Sequence, residues 1–449
     1  MQTKTQSLVH KFSLVIGATL LLALAVLAAA QGATAQTATY RVIHDLNGQD
    51  GNSPIGDLIT DASGNLYGVT KWGVDDNYSC GYVFKLTPAC GGAWKTTVLH
   101  TFNGALSDCN PWAGLVMDGA GNLYGTAVET YGYGAVYELS PTSAGGWNYS
   151  VIFQFTLGSE GIWPTSKLAL DAAGSLYGTT SIGGSADFGD VFELSPTVSG
   201  GWNETVLYSF TNGSDGGTPV AGLTFDAAGN LYGTTQHGGS QAGVCAFSSG
   251  CGVVFKLSTN SSGGWSETTL HTFSGTDGAF PQANLILDAS GNLYGMTYGG
   301  GNVNACTVYG TGCGVAFKLS PRVSGGWMYS VILKFQPGAT GRGGEGGAYP
   351  VSGLTLDAAG NLWGTTTSGG FAPNYSGVVF KLSPHATGEW TEMVVHGFSR
   401  FLAGIGPCSG GVLNTAGKLF GTTAAGGAPN RCTFYGTPGG CGVVFEITP

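Results

Sequence analysis

Short apolar runs separated by glycine-rich turns set the rhythm of this chain, and four such runs return repeatedly in one order. The clearest copy begins Pro219-Val220-Ala221-Gly222-Leu223-Thr224-Phe225 and reaches Asp226. It crosses a D-x-x-G turn into Leu231-Tyr232-Gly233-Thr234-Thr235. A third run, Gly252-Val253-Val254-Phe255-Lys256-Leu257, is followed by a fourth led by Trp265. Short runs rich in β-branched and aromatic residues, bounded by Gly, Asp, Ser and Pro, predict strands. The third run is apolar on both faces, as Val443, Phe445 and Ile447 against Val444 show in its last copy. Such a strand belongs to a sheet covered on both sides.

The signature D-x-x-G-x-L-[YWF]-G occurs seven times, around Leu66, Leu123, Leu176, Leu231, Leu293, Leu362 and Leu419, with Asn414 replacing Asp in the last copy. A proline stands seven residues before each signature: Pro54, Pro111, Pro164, Pro219, Pro281, Pro350 and Pro407. The fourth run starts at Trp94, Trp147, Trp202, Trp265, Trp327 and Trp390, one copy short of seven. Thr39-Tyr40-Arg41-Val42-Ile43-His44 supplies the missing run at one end, and the chain stops after a third run at the other. The orphan completes the deficit, as a closed ring of sheets requires. The expected fold is all-β: a seven-bladed β-propeller with four strands per blade, the last blade closed by the N-terminal strand.

The string L-Y-G-T-T-x-x-G-G…G-V-V-F-K-L-S-P, clearest at Leu231–Leu257 and Leu362–Pro384, resembles the GloVer tandem repeat of exported bacterial proteins. The first-to-second hairpin is also similar to that of NHL-type propellers. The resemblance implies a propeller and an exported protein, and it brings no catalytic residues with it. Members often end in a surface-anchoring segment; this chain ends in a strand, so free secretion is expected.

Lys4 and Lys11 precede an uncharged apolar run, Phe12 to Ala30, and Ala33-Thr34-Ala35 follows. This predicts a signal peptide over residues 1–35 and a single propeller domain over 36–449, with no membrane span after cleavage. The mature chain would hold 14 basic and 26 acidic residues. An acidic exported protein does not seek nucleic acid by charge. Glycine numbers 80 of 449 residues, and most of it belongs to repeated turn positions rather than to low complexity.

Ten cysteines fit an oxidising compartment. Cys245/Cys251, Cys306/Cys313 and Cys432/Cys441 each share one loop between second and third strands, predicting local disulfides. Cys80 with Cys109 is the expected fourth pair; Cys90 and Cys408 have no assigned partner. Metal binding by these cysteines would need C-x-x-C or His partners, which are absent.

His44, His100, His271 and His396 share a fourth-strand slot with Phe153, Tyr208 and Leu333, which marks packing rather than chemistry. The signature Asp residues are expected to close hairpins by accepting backbone N–H bonds. A further set of acids, Asp50, Asp108, Glu160, Asp215, Asp277 and Glu345, lies between each fourth strand and the next first strand. Six carboxylates in a ring would suit Ca²⁺; repeated Asp-Gly turns are the simpler expectation. No other cofactor is expected.

Loops on the same face vary between copies, and variable loops on a rigid scaffold are where binding usually resides. They carry Trp72, Asp75, Asp76, Trp112, Glu129, Trp163, His237, Tyr298, Tyr375 and Arg431. Aromatic rings beside amides and charges suit sugars or peptides. No H-E-x-x-H, G-x-S-x-G or phosphate-loop motif occurs. The leading expectation is a noncatalytic exported propeller binding glycan or an extracellular protein. An extracellular lyase or glycosidase using loop carboxylates such as Glu129, Asp75, Asp76 and Asp187, and a structural envelope protein, are the alternatives.

Overall fold

The computed structural model describes residues 38–73, 80–103, 109–128, 132–303, 306, 311–336, 346–370, 376–398, 403–428, 432–434 and 437–449. Tyr40–Ile447 form the compact unit that carries the blades. Among the described residues seven antiparallel sheets of four or five strands follow one another, besides a two-stranded hairpin, Cys432–Phe434 with Thr437–Gly439. The first contains Asn52–Thr60, Leu66–Trp72, Cys80–Pro88 and Trp94–Thr101, paired in sequence order. Five more repeat this plan, ending with the sheet of Thr355–Leu356, Leu362–Thr366, Val378–Pro384 and Trp390–Gly397. In the seventh, Thr39–Asp45 pairs with Val443–Thr448, which pairs with Leu419–Ala425. The N-terminal strand thus completes the last blade of a seven-bladed β-propeller.

The blades have no core of their own. Most hydrophobic clusters draw on two neighbouring sheets: Leu223, Leu231 and Phe255 of one blade pack against Tyr177, Val191 and Phe210 of the blade before it. Phe84, Phe192, Phe255, Phe317, Phe380 and Phe445 of the third strands are fully buried. Each lies opposite the signature glycine of the second strand, as Gly233 lies opposite Phe255. A Cβ on Gly233 would stand 2.6 Å from the Phe255 ring. Glycine is repeated there for the ring's close approach, not for an unusual backbone.

The signature Asp does close its hairpin. Asp226 Oδ1 accepts the N–H of Ala228 and Asn230, and Oδ2 accepts the Tyr232 hydroxyl at 3.0 Å. Burial works to raise its pKa, yet the bonds from Asn230, Tyr232 and Ala228 outweigh it and lower the pKa. Fourth-strand histidines pack between blades. His100 stacks on Tyr149 with centroids 3.8 Å apart, His271 on Tyr329 at 3.7 Å, and His396 on Tyr40 at 3.8 Å.

One expectation is shortened. The first runs, read as strands from Pro to Asp, are two-residue strands in the five middle blades, such as Thr224–Phe225. Upstream of it the backbone bonds sideways to other blades: Thr179 Oγ1 donates to the Ala221 carbonyl at 3.2 Å, and Gly222 N–H donates to Asn284 Oδ1 at 2.5 Å. These groups knit the ring rather than extend a ladder.

Candidate functional site

The loop face is built on a latch between blades. The residue before each repeated proline is left-handed: Ser53, Asn110, Trp163, Thr218, Phe280 and Tyr349 have φ between 54° and 59°, and Gly406 has 61°. Its N–H crosses to the preceding blade, as Phe280 N–H to the Cys251 carbonyl (2.9 Å) and Tyr349 N–H to Cys313 (3.0 Å). The following proline lies on the glycine that opens that blade's third strand; a Cβ on Gly442 would meet Pro54 at 2.6 Å. Strained φ values persist where surrounding structure over-determines them, and the latch does so here.

The disulfides pin this latch. Cys80–Cys109, Cys245–Cys251, Cys306–Cys313 and Cys432–Cys441 are all formed, while Cys90 and Cys408 are free. Cys251, Cys313 and Cys441 are the residues whose carbonyls accept the crossing N–H. Each of these three bridges therefore holds both a loop and a blade junction.

On this framework Trp72 and Trp112 come together through Lys71. The Lys71 ammonium sits 3.7 Å from the Trp112 ring centre and 5.0 Å from that of Trp72. Burial lowers the Lys71 pKa. Trp112 remains 38% exposed and Trp163 39%. Trp163 donates its indole N–H to the Gly132 carbonyl at 3.2 Å, beside exposed Tyr133. His237 is half-buried near Phe280, and burial lowers its pKa. Tyr298 stacks on Tyr349, with centroids 5.1 Å apart. Asp75, Asp76, Glu129, Tyr375 and Arg431 lie outside the described residues.

The loop acids serve their own turns. Asp50 bonds His44 Nε2 at 2.7 Å and accepts the Asn47 N–H. Asp277 does the same with His271 (3.0 Å) and Ser274. Asp215 accepts the Tyr208 hydroxyl and the Thr211 N–H, and Glu160 accepts the Thr156 hydroxyl and N–H. Asp108 and Glu345 lie outside the described residues, within which no three His, Cys, Asp or Glu side chains are grouped to hold a metal.

Trp112 stands at the rim of a cavity of about 350 Å³ at the centre of the ring, within the ~300–1,000 Å³ range of ligand pockets. Residues one place after the prolines, among them Thr165, Gln282 and Cys408, line it, with Gln236 from a second strand. Its floor is a waist of residues three places after the prolines: Asp57, Lys167 and Asn284, with Gly114 and Gly353. Asp57, Lys167, Asn284 and Gly353 also line a second cavity beyond it. Cys408 Sγ lies 2.9 Å from the Pro54 carbonyl, and burial pushes its thiol up to about 12. Sequence reasoning missed this waist. The signal was present: three polar residues stand where Gly114, Gly222, Gly353 and Gly410 occupy the other copies.

A second missed residue is Asp190. It opens the third strand of its blade where Val253, Val315, Val378 and Val443 stand in others, and it is fully buried. Neither carboxylate oxygen has a hydrogen-bond partner of ordinary geometry. Burial chiefly, with the Glu160 charge, raises its pKa to about 6 against a smaller opposing effect of Ser209. Nearby Glu204 is raised to about 7 by burial and by the charges of Glu160 and Asp190.

Sheets, latch and central cavity together define a repeat-built β-propeller with a rim of aromatic residues at one end. The chain belongs to the Gloeobacter/Verrucomicrobia repeat family, whose sequence profile matches residues 74–309. Among curated proteins none is significantly similar to it. Among solved structures it is similar to an ancestral GH74 enzyme, with TM-score 0.55 and 11% identity over 88% of this chain. It is also similar to the extracellular domain of a B. thetaiotaomicron protein described as a one component system, with TM-score 0.51 and 13% identity over 91% of this chain. It spans 48% and 41% of those two chains, under half of each. At these identities the likeness is one of fold.

Proposed function

We propose that this protein is an exported, noncatalytic propeller that binds a glycan at the loop face, over the mouth of the central cavity. The observation that carries the reading is Trp112. It is a partly exposed ring, braced by Lys71 at 3.7 Å, at the edge of a cavity lined by Gln236, Gln282 and Asn284. A braced aromatic ring supplies stacking area at low entropic cost, and amides beyond it fix the orientation of hydroxyl groups. Four disulfides fit an oxidising compartment outside the cytoplasm. Against catalysis stands the cavity wall, where Asp57 is the one carboxylate among the described residues. Hydrolysis of a glycosidic bond ordinarily takes two.

One structural neighbour is an enzyme, and the test separates the two readings. Purified mature protein is run against a panel of polysaccharides, scoring retention and released sugar together. Retention without product, abolished by Trp112→Ala with melting unchanged, is the expected result. Product release would make the protein an enzyme, and retention indifferent to Trp112 would remove the proposed face.

A further inference from the structure

The waist of the central cavity holds Lys167, a cation with no hydrogen bond or ion pair among the described residues. Of the three polar residues there, Asp57 and Asn284 serve the ring: Asp57 Oδ1 accepts the Gly410 N–H at 2.7 Å, and Asn284 Oδ1 accepts the Gly222 N–H at 2.5 Å. Each reaches from its own blade to the waist N–H of the preceding one. Lys167 occupies the equivalent place in the third blade, where the preceding waist residue is Gly114. Lysine is only a donor, so it cannot accept that N–H. Among the described residues its ammonium has neither an ion pair nor a hydrogen bond, although it lines both cavities.

Several other cations among the described residues have partners. Lys85, Lys256, Lys318 and Lys381 lie over the signature aromatic of their blade, and Arg41 and Lys418 hold Glu446. A lysine at a position where four copies use glycine, half-buried and unpaired in a chain of formal charge −10, is explained by no structural need. Beside it, the Asn284 amide keeps its N–H2 group after its oxygen is taken by Gly222.

We propose that the glycan is acidic, and that a uronate carboxylate at its end meets Lys167 Nζ and the Asn284 amide N–H at the waist while a neighbouring sugar lies on Trp112. Two convergent donors, one charged, are the arrangement that singles out a carboxylate from a hydroxyl. Lys167 is half-buried at the waist, and partial burial strengthens the contact relative to a fully exposed lysine. The inference rests on the glycan reading above and names its ligand class.

Calorimetric titration of the full mature chain tests it, with oligogalacturonate and oligomannuronate as acidic probes. The methyl ester of the oligogalacturonate, which keeps the sugar and removes the charge, serves as control. The free acid should bind and the ester should bind roughly tenfold more weakly or worse, the loss of one charge-assisted hydrogen bond. Lys167→Gly, the residue of four sister blades, should lower acid binding to the level of the ester, and Lys167→Arg should restore much of it. Equal binding of acid and ester, or indifference of acid binding to Lys167→Gly, overturns the inference. Neutral glycans retained through Trp112 with no acidic preference would sink this inference alone. Absence of all glycan binding would sink the glycan reading with it.

Discussion

Replacing Asp190 by Val should stabilise the protein, and the gain should grow with pH. Four sister blades place Val253, Val315, Val378 and Val443 in the same slot, all fully buried. The slot is shaped alike in each: a Cβ on Gly301 would meet Val315 Cγ1, and one on Gly184 would meet the Asp190 carboxylate. The folded pKa of Asp190, about 6, lies above its ordinary 3.8. A raised carboxyl pKa means that the folded state prefers the protonated form. The cost is therefore absent below pH ~4, builds between pH ~4 and ~6, and is complete above that. The rise from 3.8 to about 6 corresponds to about 3 kcal/mol. Removing it should raise the melting temperature by a few degrees at pH 8. The assay is thermal melting of wild type and Asp190→Val at pH 4, 6 and 8. The advantage of the variant should shrink by most of that 3 kcal/mol at pH 4. A variant no more stable than wild type at pH 8, or an advantage unchanged with pH, would refute the reasoning.

Three further outcomes follow from the closure and the loops. Glu446 is held by Arg41 at 2.9 Å and Lys418 at 2.8 Å; burial alone would raise its pKa, but these bonds lower it. Its contribution is thus present above the ordinary pKa of 4.5 and lost as pH falls below it. Glu446→Gln should lower the melting temperature at pH 7 and much less at pH 3, as calorimetry would show. Replacing Cys432 and Cys441 together by Ser should cost about 2–3 kcal/mol, read from urea unfolding, because their bridge closes a short loop at the ring closure. Millimolar Ca²⁺ should leave melting unchanged while Asp50, Asp215 and Asp277 keep their bonds to His44, Tyr208 and His271. A marked rise would place metal among the loop acids.

The scaffold was legible because its cause repeats. Seven signatures, seven prolines and the displaced fourth strand can be aligned without coordinates, and loop cysteines such as Cys245 and Cys251 announce their pairing by proximity. The latch was hidden because its partners, such as Pro281 and Gly252, belong to different blades and meet only when the ring closes. Lys167 and Asp190 were legible only by comparing copies column by column, Lys against Gly and Asp against Val. Trp72 and Trp112 were read as aromatic loop residues, although Trp72 ends the strand Leu66–Trp72; that Lys71 joins them depends on the side-by-side placement of two blades. Tyr298 carried the same signal and is stacked on Tyr349, because sequence does not tell a ring that faces solvent from one that faces a neighbouring loop.

The central claim is that ligand meets the rim at Trp112. Hydroxyl-radical footprinting with and without a retained glycan reads it residue by residue. Trp147 opens a fourth strand at the opposite end of its blade and serves as internal control. Oxidation of Trp112 should fall several-fold at saturation while that of Trp147 stays constant. An unprotected Trp112, or equal protection of both, would contradict the account.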